Sequence, residues 1–199
     1  SRYSAAIKEI QTKLEILDDE FQMRHRRNPI HHMQSRLKTI QSMLEKLKRK
    51  NYEVSINSAV KNLQDIAGIR VICSYVQDVY TIANLLVSQD DVHLVRMADY
   101  IREPKPNGYR SLHLIVEIPV FLSEGRILVP VEVQIRTIAM DFWASLEHSL
   151  RYKAQKYIPQ HISDELQRVA TDIASLDQRM QAIHDQVDEL SDAHGGSAT

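Results

Sequence analysis

A loop in the middle of the chain concentrates side chains that bind phosphates and aromatic bases. It runs from Lys105 through Pro-Asn-Gly to Tyr109, Arg110 and His113. Lysine and arginine bind phosphate oxygens through charge-assisted hydrogen bonds, and an aromatic ring gives a nucleobase a face to stack on. The spacing therefore predicts a site for a polyanion that carries a base, which indicates nucleotide chemistry.

Two acidic residues are candidates for holding a divalent metal. Glu132 lies in the apolar run 131–135, and Gln134 shares its face because side chains alternate along a strand. Asp65 lies just before another apolar run, where the alternative is that it caps a helix. Phosphoryl transfer needs a metal that neutralises charge on the phosphates, and Mg²⁺ takes carboxylate oxygens. The two acids thus indicate transfer of a phosphoryl or pyrophosphoryl group.

The charges are distributed unevenly along the chain, although the net charge is only -1. Residues 24–50 hold nine lysines and arginines and one acid, whereas acids dominate residues 172–192. In the basic segment Lys38, Ser42 and Lys46 recur every four residues, which places them on one face of a helix where they would follow a triphosphate. The alternatives for the segment are a solvated helix face and a surface for another polyanion, such as RNA.

The elements that must position these residues are helices at both ends of the chain and strands between them. The spacing of apolar residues predicts helices over 2–24, 33–50, 78–88, 138–153 and 162–190. Apolar and β-branched runs predict strands over 69–75, 92–101, 112–121 and 127–135, with a turn at 123–126. We expect a sheet that has one functional face.

The last predicted helix carries an apolar heptad pattern from Ile162 to Leu190. A seam of that length usually pairs with another helix. The apolar stripe of residues 7–21 is the expected partner, in the same chain or in a neighbouring subunit, and so long an arm favours oligomerisation. We expect the tail 194–199 to be disordered.

Composition is that of an ordinary globular protein with one core. Hydrophobic residues make up 43% of the 199 residues, and the single cysteine, Cys73, lies in an apolar run where a reduced, buried thiol is expected. No apolar run is long enough to span a membrane, and no secretory leader is recognisable. We therefore expect a cytoplasmic protein. The chain begins at Ser1 rather than at methionine, so we expect it to be a trimmed fragment.

Three segments together resemble the synthetase domain of the RelA/SpoT alarmone enzymes. They are 64–70 (QDIAGIR), 99–113 (DYI followed by KPNGYRSLH) and 132–143 (EVQIRTIAMDFW), and 147–153 extends the match. The resemblance covers roughly residues 30–155, and the helical ends are similar to those of stand-alone small alarmone synthetases of the RelP and RelQ type. It implies an α/β (α+β) fold with a mixed, mainly antiparallel central sheet in a nucleotidyltransferase-like core. It also implies an N-terminal packing or oligomerisation helix over 1–28, a catalytic domain over 29–157, and an oligomerisation helix over 158–193.

The implied reaction moves the β,γ-diphosphate of ATP to the 3′-hydroxyl of GDP or GTP, giving ppGpp or pppGpp and AMP. On the donor side the resemblance implies that Arg36 and Arg70 sandwich the adenine, a task that suits planar guanidinium groups. It implies ATP phosphate contacts from Lys38, Ser42 and Lys46. Asp65 would coordinate Mg²⁺, and Glu132 would share that metal or draw the proton from the 3′-hydroxyl.

On the acceptor side the resemblance implies that Tyr109 stacks on guanine. Phosphate and sugar contacts would come from Lys105, His113 and Gln134. Asp141 would accept hydrogen bonds from the guanine N1 and N2 groups. RelQ-type enzymes often have a basic residue two positions before Tyr100, where this chain has Ala98. Arg96 would lie on the same face of the strand and would substitute for that basic residue.

The chain is more similar to RelP than to RelQ. The first-helix positions that line the product cleft of RelQ-type enzymes are Gln11 and Glu15 here, and His31 and His32 replace an acid and an aromatic residue. We therefore expect no activation by product. We also expect synthesis without hydrolysis, since the pair His184-Asp185 lacks the other ligands of a hydrolase site. The expected assembly is a homo-oligomer, a tetramer.

Two other functions stay open on the sequence. A toxin-like relative would pyrophosphorylate the 3′ end of tRNA and would use the basic segment 24–50 to bind it. A non-catalytic RNA-binding oligomer would leave both carboxylates idle.

Overall fold

The computed structural model describes residues 1–155 and 157–195. Six helices and five strands follow one another in the order α1 (Arg2–His25), β1 (Ile30–Leu37), α2 (Ile40–Arg49), α3 (Ile56–Asn62), β2 (Ala67–Cys73), α4 (Val76–Val87), β3 (His93–Asp99), β4 (Leu112–Leu122), β5 (Gly125–Thr137), α5 (Ile138–Lys153) and α6 (Gln160–Gly195). The strands form one sheet in the order β1-β2-β5-β4-β3. Only β2 and β5 pair in parallel, so the predicted mixed, mainly antiparallel sheet is confirmed.

One face of the sheet is the hydrophobic core. Alternate residues of β2, β4 and β5, such as Val71, Leu114 and Val133, are fully buried there. Helices α1 and α4 cover this face, with Ile10 and Leu14 of α1 among the fully buried side chains. Because side chains alternate along each strand, the polar residues between them point to the opposite face. The residues that the sequence predicts for the functional face, such as Glu132 and Gln134, lie on this second face.

The predicted helix over 33–50 is wrong in its first part. Residues 30–37 form the edge strand β1, whose Gln34 and Arg36 lie opposite Arg70 and Gly68 of β2. The helix α2 begins only at Ile40, after Thr39 accepts a hydrogen bond from the Ser42 amide as N-cap. The apolar residues before Ile40 happen to continue the helical spacing of α2, and pairing with β2 outweighs that local pattern.

The partner predicted for α6 within the chain is also wrong. The apolar stripe of α1 packs against the sheet, whereas α6 packs on α5 and α4. Only Ala170, Ile173 and Asp177 of α6 are buried. Later heptad positions such as Ile183 and Leu190 are more than half exposed. The helix ends at Gly195, so the predicted tail begins inside α6, and residues 196–199 lie outside the described part.

Helices α2 and α3 form a small cluster beside the sheet edge. Leu47, Ala59, Leu63 and Ile66 are buried together there. The amide of Lys38 donates to the carbonyl of Ile66 at 2.8 Å, which ties the start of α2 to the segment that leads into β2. No helix among the described residues has the length and hydropathy of a membrane span.

Candidate active site

Two rows of side chains cross the open face of the sheet. In one row Arg36, Gly68 and Glu132 lie opposite one another on β1, β2 and β5. Gly68 has no side chain, so a gap remains between the arginine and the carboxylate. The second row contains Gln34, Arg70, Gln134, His113 and Ala98.

Together the two rows border an open cleft. Its empty volume is about 530 Å³, and it is lined by Gln34, Arg36, Gly68, Ile69, Arg70, Glu132 and Gln134. Glu132 is the one acid among the described residues that line it. The predicted donor residues Arg36 and Arg70 thus share one cleft with the predicted catalytic carboxylate.

A chain of hydrogen bonds begins at Glu132 and runs along β5. Gln134 Nε2 donates to Glu132 Oε2 at 3.3 Å, and Arg136 Nη2 donates to Gln134 Oε1 at 2.7 Å. Arg136 also donates to the Tyr109 hydroxyl at 3.1 Å and to Asp141 Oδ1, in the first turn of α5, at 3.4 Å. Three residues predicted for the acceptor side, Gln134, Tyr109 and Asp141, therefore meet at one guanidinium group.

Arg136 belongs to this network although it is not among the predicted site residues. Only 2% of the surface of Arg136 is exposed to solvent. Burial lowers the pKa of its guanidinium, which still stays protonated at neutral pH. The alternation that joins Glu132 to Gln134 continues to Arg136 two residues later, so the signal was present in the sequence. What the pattern does not reveal is that this cation holds the acceptor residues together.

The loop that contains Lys105 and Tyr109 forms, with its neighbours, a cage of aromatic rings and cations. Lys105 Nζ lies 4.8 Å from the ring centroid of Tyr100 and 5.1 Å from that of Tyr109. The guanidinium carbon of Arg136 lies 5.5 Å from the ring centroid of Tyr109. The ring of His113 packs edge-on against both tyrosines. Such a cage offers a cation and a π surface to the same ligand.

His113 is neutral at physiological pH. Burial lowers its pKa to about 4, and the charges of Lys105, Arg136, Arg96 and Arg70 add to the effect. Because Arg136 donates to the Tyr109 hydroxyl, the phenol proton is available to His113 Nε2 at 2.8 Å. The ring proton then lies on Nδ1, which faces Glu132 Oε1 at 3.9 Å without forming an ion pair.

This neutral histidine makes stability depend on pH. The unfolded chain takes up the proton near pH 6.5 and the folded chain only near 4, so stability is full above 6.5 and falls as the pH drops towards 4. We expect wild type to lose about 2 kcal/mol more unfolding free energy than His113→Gln between pH 7 and pH 5. Urea unfolding at the two pH values measures the difference. Equal losses in the two proteins would show that His113 is not the titrating group.

Asp65 lies where two lysines converge. Lys46 Nζ and Lys38 Nζ donate to its Oδ2 at 2.7 and 3.1 Å. Burial raises the pKa of Asp65, but hydrogen bonds and charge from Lys46 and Lys38 outweigh it, and the net pKa lies below the usual value. The predicted alignment of Lys38 and Lys46 is thus found, although Lys38 precedes the helix. Ser42 lies in the first turn of α2, where its hydroxyl contacts that of Thr39 at 2.9 Å.

The two predicted metal ligands lie at the same end of the central parallel strands. Asp65 lies two residues before β2, and Glu132 lies opposite Gly68, the second residue of that strand. The Oδ1 atom of Asp65 is buried and has no hydrogen-bond partner among the described residues. The part of the chain that the structure describes has no group of three or more histidine, cysteine or acidic residues suited to a metal. An orphaned carboxylate oxygen and few protein ligands fit Mg²⁺, which takes its other ligands from phosphates and water.

Arg110 and His184, which also stand out in the sequence, do not line the cleft. The cation Arg110, expected to meet phosphate, turns away and donates to the carbonyl of Ala170 in α6 at 2.8 Å. His184 packs on the ring of Tyr75 at a centroid distance of 4.3 Å, and Asp185 and Asp188 lie 3.5 and 3.6 Å from its Nδ1. Arg96 of β3 is the residue expected to substitute for the basic residue that is missing at Ala98. It pairs with Ile115 of β4 and lies on the face that also holds Ala98 and His113.

Comparison with known proteins gives a consistent result. The family described as "Region found in RelA / SpoT proteins" matches residues 35–157. The chain is 45% identical over 186 residues to the GTP pyrophosphokinase YwaC of Bacillus subtilis, a match that covers 94% of this chain and 89% of that protein. It is 37% identical over 191 residues to the GTP pyrophosphokinase YjbM of the same species, with 96% and 89% covered.

Solved structures agree with these sequence matches. Small alarmone synthetase 2 from B. subtilis superimposes with a TM-score of 0.84 at 43% identity, over 92% of this chain and 96% of that one. Small alarmone synthetase 1 from the same species, bound to its product pppGpp, gives a TM-score of 0.84 at 37% identity, over 93% and 94%. The same synthetase bound to AMPCPP gives 0.79 at 35% identity, over 94% of each chain.

Proposed function

This chain belongs to the RelA/SpoT family, and on that premise we propose that it is a small alarmone synthetase. As a GTP pyrophosphokinase it transfers the β,γ-diphosphate of ATP to the 3′-hydroxyl of GDP or GTP, giving ppGpp or pppGpp and AMP. The observation that carries this proposal is the position of Glu132. The carboxylate lies between a donor side on β1 and β2 and an acceptor side around Tyr109, in a cleft whose other charged lining residues, Arg36 and Arg70, are cations.

The donor nucleotide occupies the side of the cleft next to β1. Arg36 and Arg70 offer two planar guanidinium groups for the adenine, and Arg70 Nε is buried without a hydrogen-bond partner in the described structure. Lys38 and Lys46, which converge on Asp65, hold the phosphates. The synthetase that is solved with AMPCPP, an ATP analogue, supports a donor site of this kind.

The acceptor nucleotide occupies the cage on the other side of Glu132. Tyr109 stacks on the guanine, and Lys105, His113 and Gln134 contact its phosphates and sugar. Asp141 accepts from guanine N1 and N2, and its bond to Arg136 fixes its direction. The relative solved with pppGpp supports an acceptor of the guanosine class.

The residues of this chain act on the reaction by orientation and by moving one proton. Glu132 accepts the proton of the 3′-hydroxyl, and the amide of Gln134 orients its carboxylate. Lys38 and Lys46 hold the phosphates in line with that oxygen. Asp65 and Glu132 would hold Mg²⁺, which would supply neutralisation of the charge on the transferred group.

One assay separates this function from its rivals. The protein is incubated with Mg²⁺ and ATP labelled in the β-phosphate, with either GDP or bulk tRNA as acceptor. Label in a guanosine tetraphosphate supports the proposal. Label in tRNA establishes the toxin-like alternative, and no transfer to either acceptor leaves an RNA-binding oligomer. Recovery of labelled pyrophosphate from purified ppGpp would contradict synthesis without hydrolysis.

Tyr109→Ala is expected to weaken acceptor binding by about 1–3 kcal/mol, because that is the contribution of one base stacked on an aromatic ring. Tyr109→Phe removes the hydroxyl that bonds Arg136 and His113. Because it keeps the ring that stacks on the base, it should retain most of the affinity for the acceptor. Calorimetry with GDP and with AMPCPP measures both variants. A loss of AMPCPP affinity in Tyr109→Ala would assign the ring to the donor.

The exposed apolar face of α6 supports a homo-oligomer, for which we propose a tetramer. Leu176, Met180, Ile183, Val187 and Leu190 recur at heptad spacing and are about half exposed. Light scattering of the eluted protein gives the subunit number, and a monomer would overturn this assignment.

The use of ATP and GTP as substrates supports a cytoplasmic location. We propose no activation by product, since the first-helix positions of the product cleft are Gln11 and Glu15 and not lysines.

A further inference from the structure

We propose that α6 positions the acceptor loop, residues 105–109, through Arg110. Arg110 is then a positioning residue, which sets where Tyr109 stands without touching the nucleotide. The inference rests on the proposed function, because it takes this loop to be the acceptor site. It gives α6 a role inside the catalytic subunit, where its heptad pattern alone indicates only association with another helix.

The acceptor loop is a closed unit. The Lys105 amide donates to the Tyr109 carbonyl at 3.1 Å, and the Gly108 amide donates to the Lys105 carbonyl at 2.9 Å. The side chain of Asn107 accepts from the Tyr109 amide at 3.0 Å. A loop tied in this way moves as one body, so its outer contacts determine the direction of the Tyr109 ring.

The outer face of the loop lies directly on α6. Gly108 has φ +97°, and a Cβ added to it would lie 2.7 Å from Ala170 Cβ and 3.4 Å from Gln167 Cα. Both the backbone conformation and the space therefore require glycine here. The contact leaves no room for the loop to approach α6 further, so α6 is the surface against which the loop is set.

Arg110 fastens the loop to that surface. Its Nη1 donates to the Ala170 carbonyl of α6 at 2.8 Å and to the Gly108 carbonyl at 3.4 Å. One guanidinium nitrogen thus bridges the helix and the loop. Burial lowers the pKa of Arg110 and the charge of Asp177 raises it, and the group remains a cation. With Nη1 turned to backbone carbonyls, Arg110 faces α6 and not the cleft.

The helix is itself held to the other wall of the acceptor site. The Trp143 indole donates to the Leu166 carbonyl at 2.8 Å. The Thr137 hydroxyl, which caps α5, donates to Asp177 Oδ2 at 2.6 Å. Since α5 carries Asp141, α6 braces both the loop and the helix that border the acceptor. A shift of α6 would therefore move Tyr109 relative to Asp141.

The test compares Arg110→Met, which keeps an unbranched apolar stem and loses the donors, with Arg110→Lys, which keeps one donor group for the Ala170 carbonyl. We expect Arg110→Met to raise the acceptor KM about tenfold, because small displacements of a binding group have effects of this size or larger. The ATP KM, kcat at saturation and the melting temperature should change little. Arg110→Lys should recover part of the loss. An unchanged acceptor KM in Arg110→Met, or an equal fall in all parameters together with the melting temperature, would overturn the proposal.

A second variant separates positioning from direct contact. Ala170→Leu places a larger side chain under Gly108 and leaves Arg110 in place, and Ala182→Leu makes the same change on the exposed side of α6. Ala170→Leu should raise the acceptor KM and Ala182→Leu should not. The double variant with Arg110→Met should show less than the sum of the two effects, because both act on one contact. Additive effects, or no effect of Ala170→Leu, would mean that Arg110 binds the nucleotide itself.

The single tryptophan gives a readout that does not depend on turnover. Trp143 Cζ2 lies 3.6 Å from the position of a Cβ on Gly108, so its fluorescence reports on the loop contact. GDP should change the emission of wild type at a lower concentration than that of Arg110→Met. If wild type neither transfers pyrophosphate nor binds GDP, the proposed function fails. If wild type does both and Arg110→Met titrates identically, only the positioning role fails.

Discussion

Glu132→Gln should bind both nucleotides and transfer almost nothing. The amide keeps the size of the side chain and can still accept from Gln134 Nε2, so the cleft keeps its shape. What is lost is the charge that we propose to take the 3′-hydroxyl proton and to help hold magnesium. We expect kcat to fall about 10²–10⁴-fold, the usual contribution of a positioned base. Single-turnover rates and calorimetric affinities for AMPCPP and GDP measure the two effects separately.

Glu117→Gln is the matched control for this variant. Glu117 lies on β4 in the alternation that contains His113, but it pairs with Pro130 and His93, away from the cleft. The same chemical change on the same sheet should leave kcat within about twofold of wild type, as for surface substitutions generally. Turnover by Glu132→Gln at the wild-type rate would contradict every role given to this carboxylate.

Asp65→Asn should lower the rate about a thousandfold, which corresponds to the several kcal/mol that a bound metal contributes to phosphoryl transfer. The substitution removes one of the two proposed metal ligands and also the charge that pairs with Lys38 and Lys46. We therefore expect a weaker affinity for AMPCPP and a higher Mg²⁺ requirement, with GDP affinity unchanged. A titration of rate against Mg²⁺ at saturating nucleotides shows the shift.

Asp91→Asn provides the control for loss of an aspartate–lysine pair. Asp91 bonds Lys13 of α1 at 2.8 Å, on the covered side of the sheet, and is half exposed. Its loss should leave the Mg²⁺ dependence unchanged. If Asp65→Asn loses activity but keeps the wild-type Mg²⁺ dependence, Asp65 organises the two lysines and does not bind the metal.

The parts of the site that could be predicted are those with a local signal. Alternation along β5 placed Glu132 and Gln134 on one face, and the loop with Tyr109 and Lys105 is recognisable from its composition alone. The structure brings these residues together because β4 and β5 are joined by a two-residue turn and pair along their length. Local pattern and tertiary structure agree here, so the sequence sufficed.

Other parts depend on contacts between distant segments. The polar strand β1 has no β-sheet pattern of its own, and its identity comes from pairing with β2. Arg110 looks like any phosphate-binding arginine until α6, sixty positions later, presents the Ala170 carbonyl to it. The central role of Arg136 likewise needs the positions of Tyr109 and Asp141, which lie on different elements. No window of sequence contains these relations.

The position of β5 in the sheet has a consequence for the protein during its synthesis. Among the described strands β5 alone joins the pair β1-β2 to the pair β4-β3. It pairs with β2 from Val131, which lies opposite Ala67. We expect a nascent chain to form the two outer pairs first and to join them only after β5, which ends at Thr137, has been synthesised. Long-range pairings of this kind close late in folding. Because the proposed donor and acceptor residues lie on the two sides of β5, we expect a chain that lacks this strand to have no joined catalytic face.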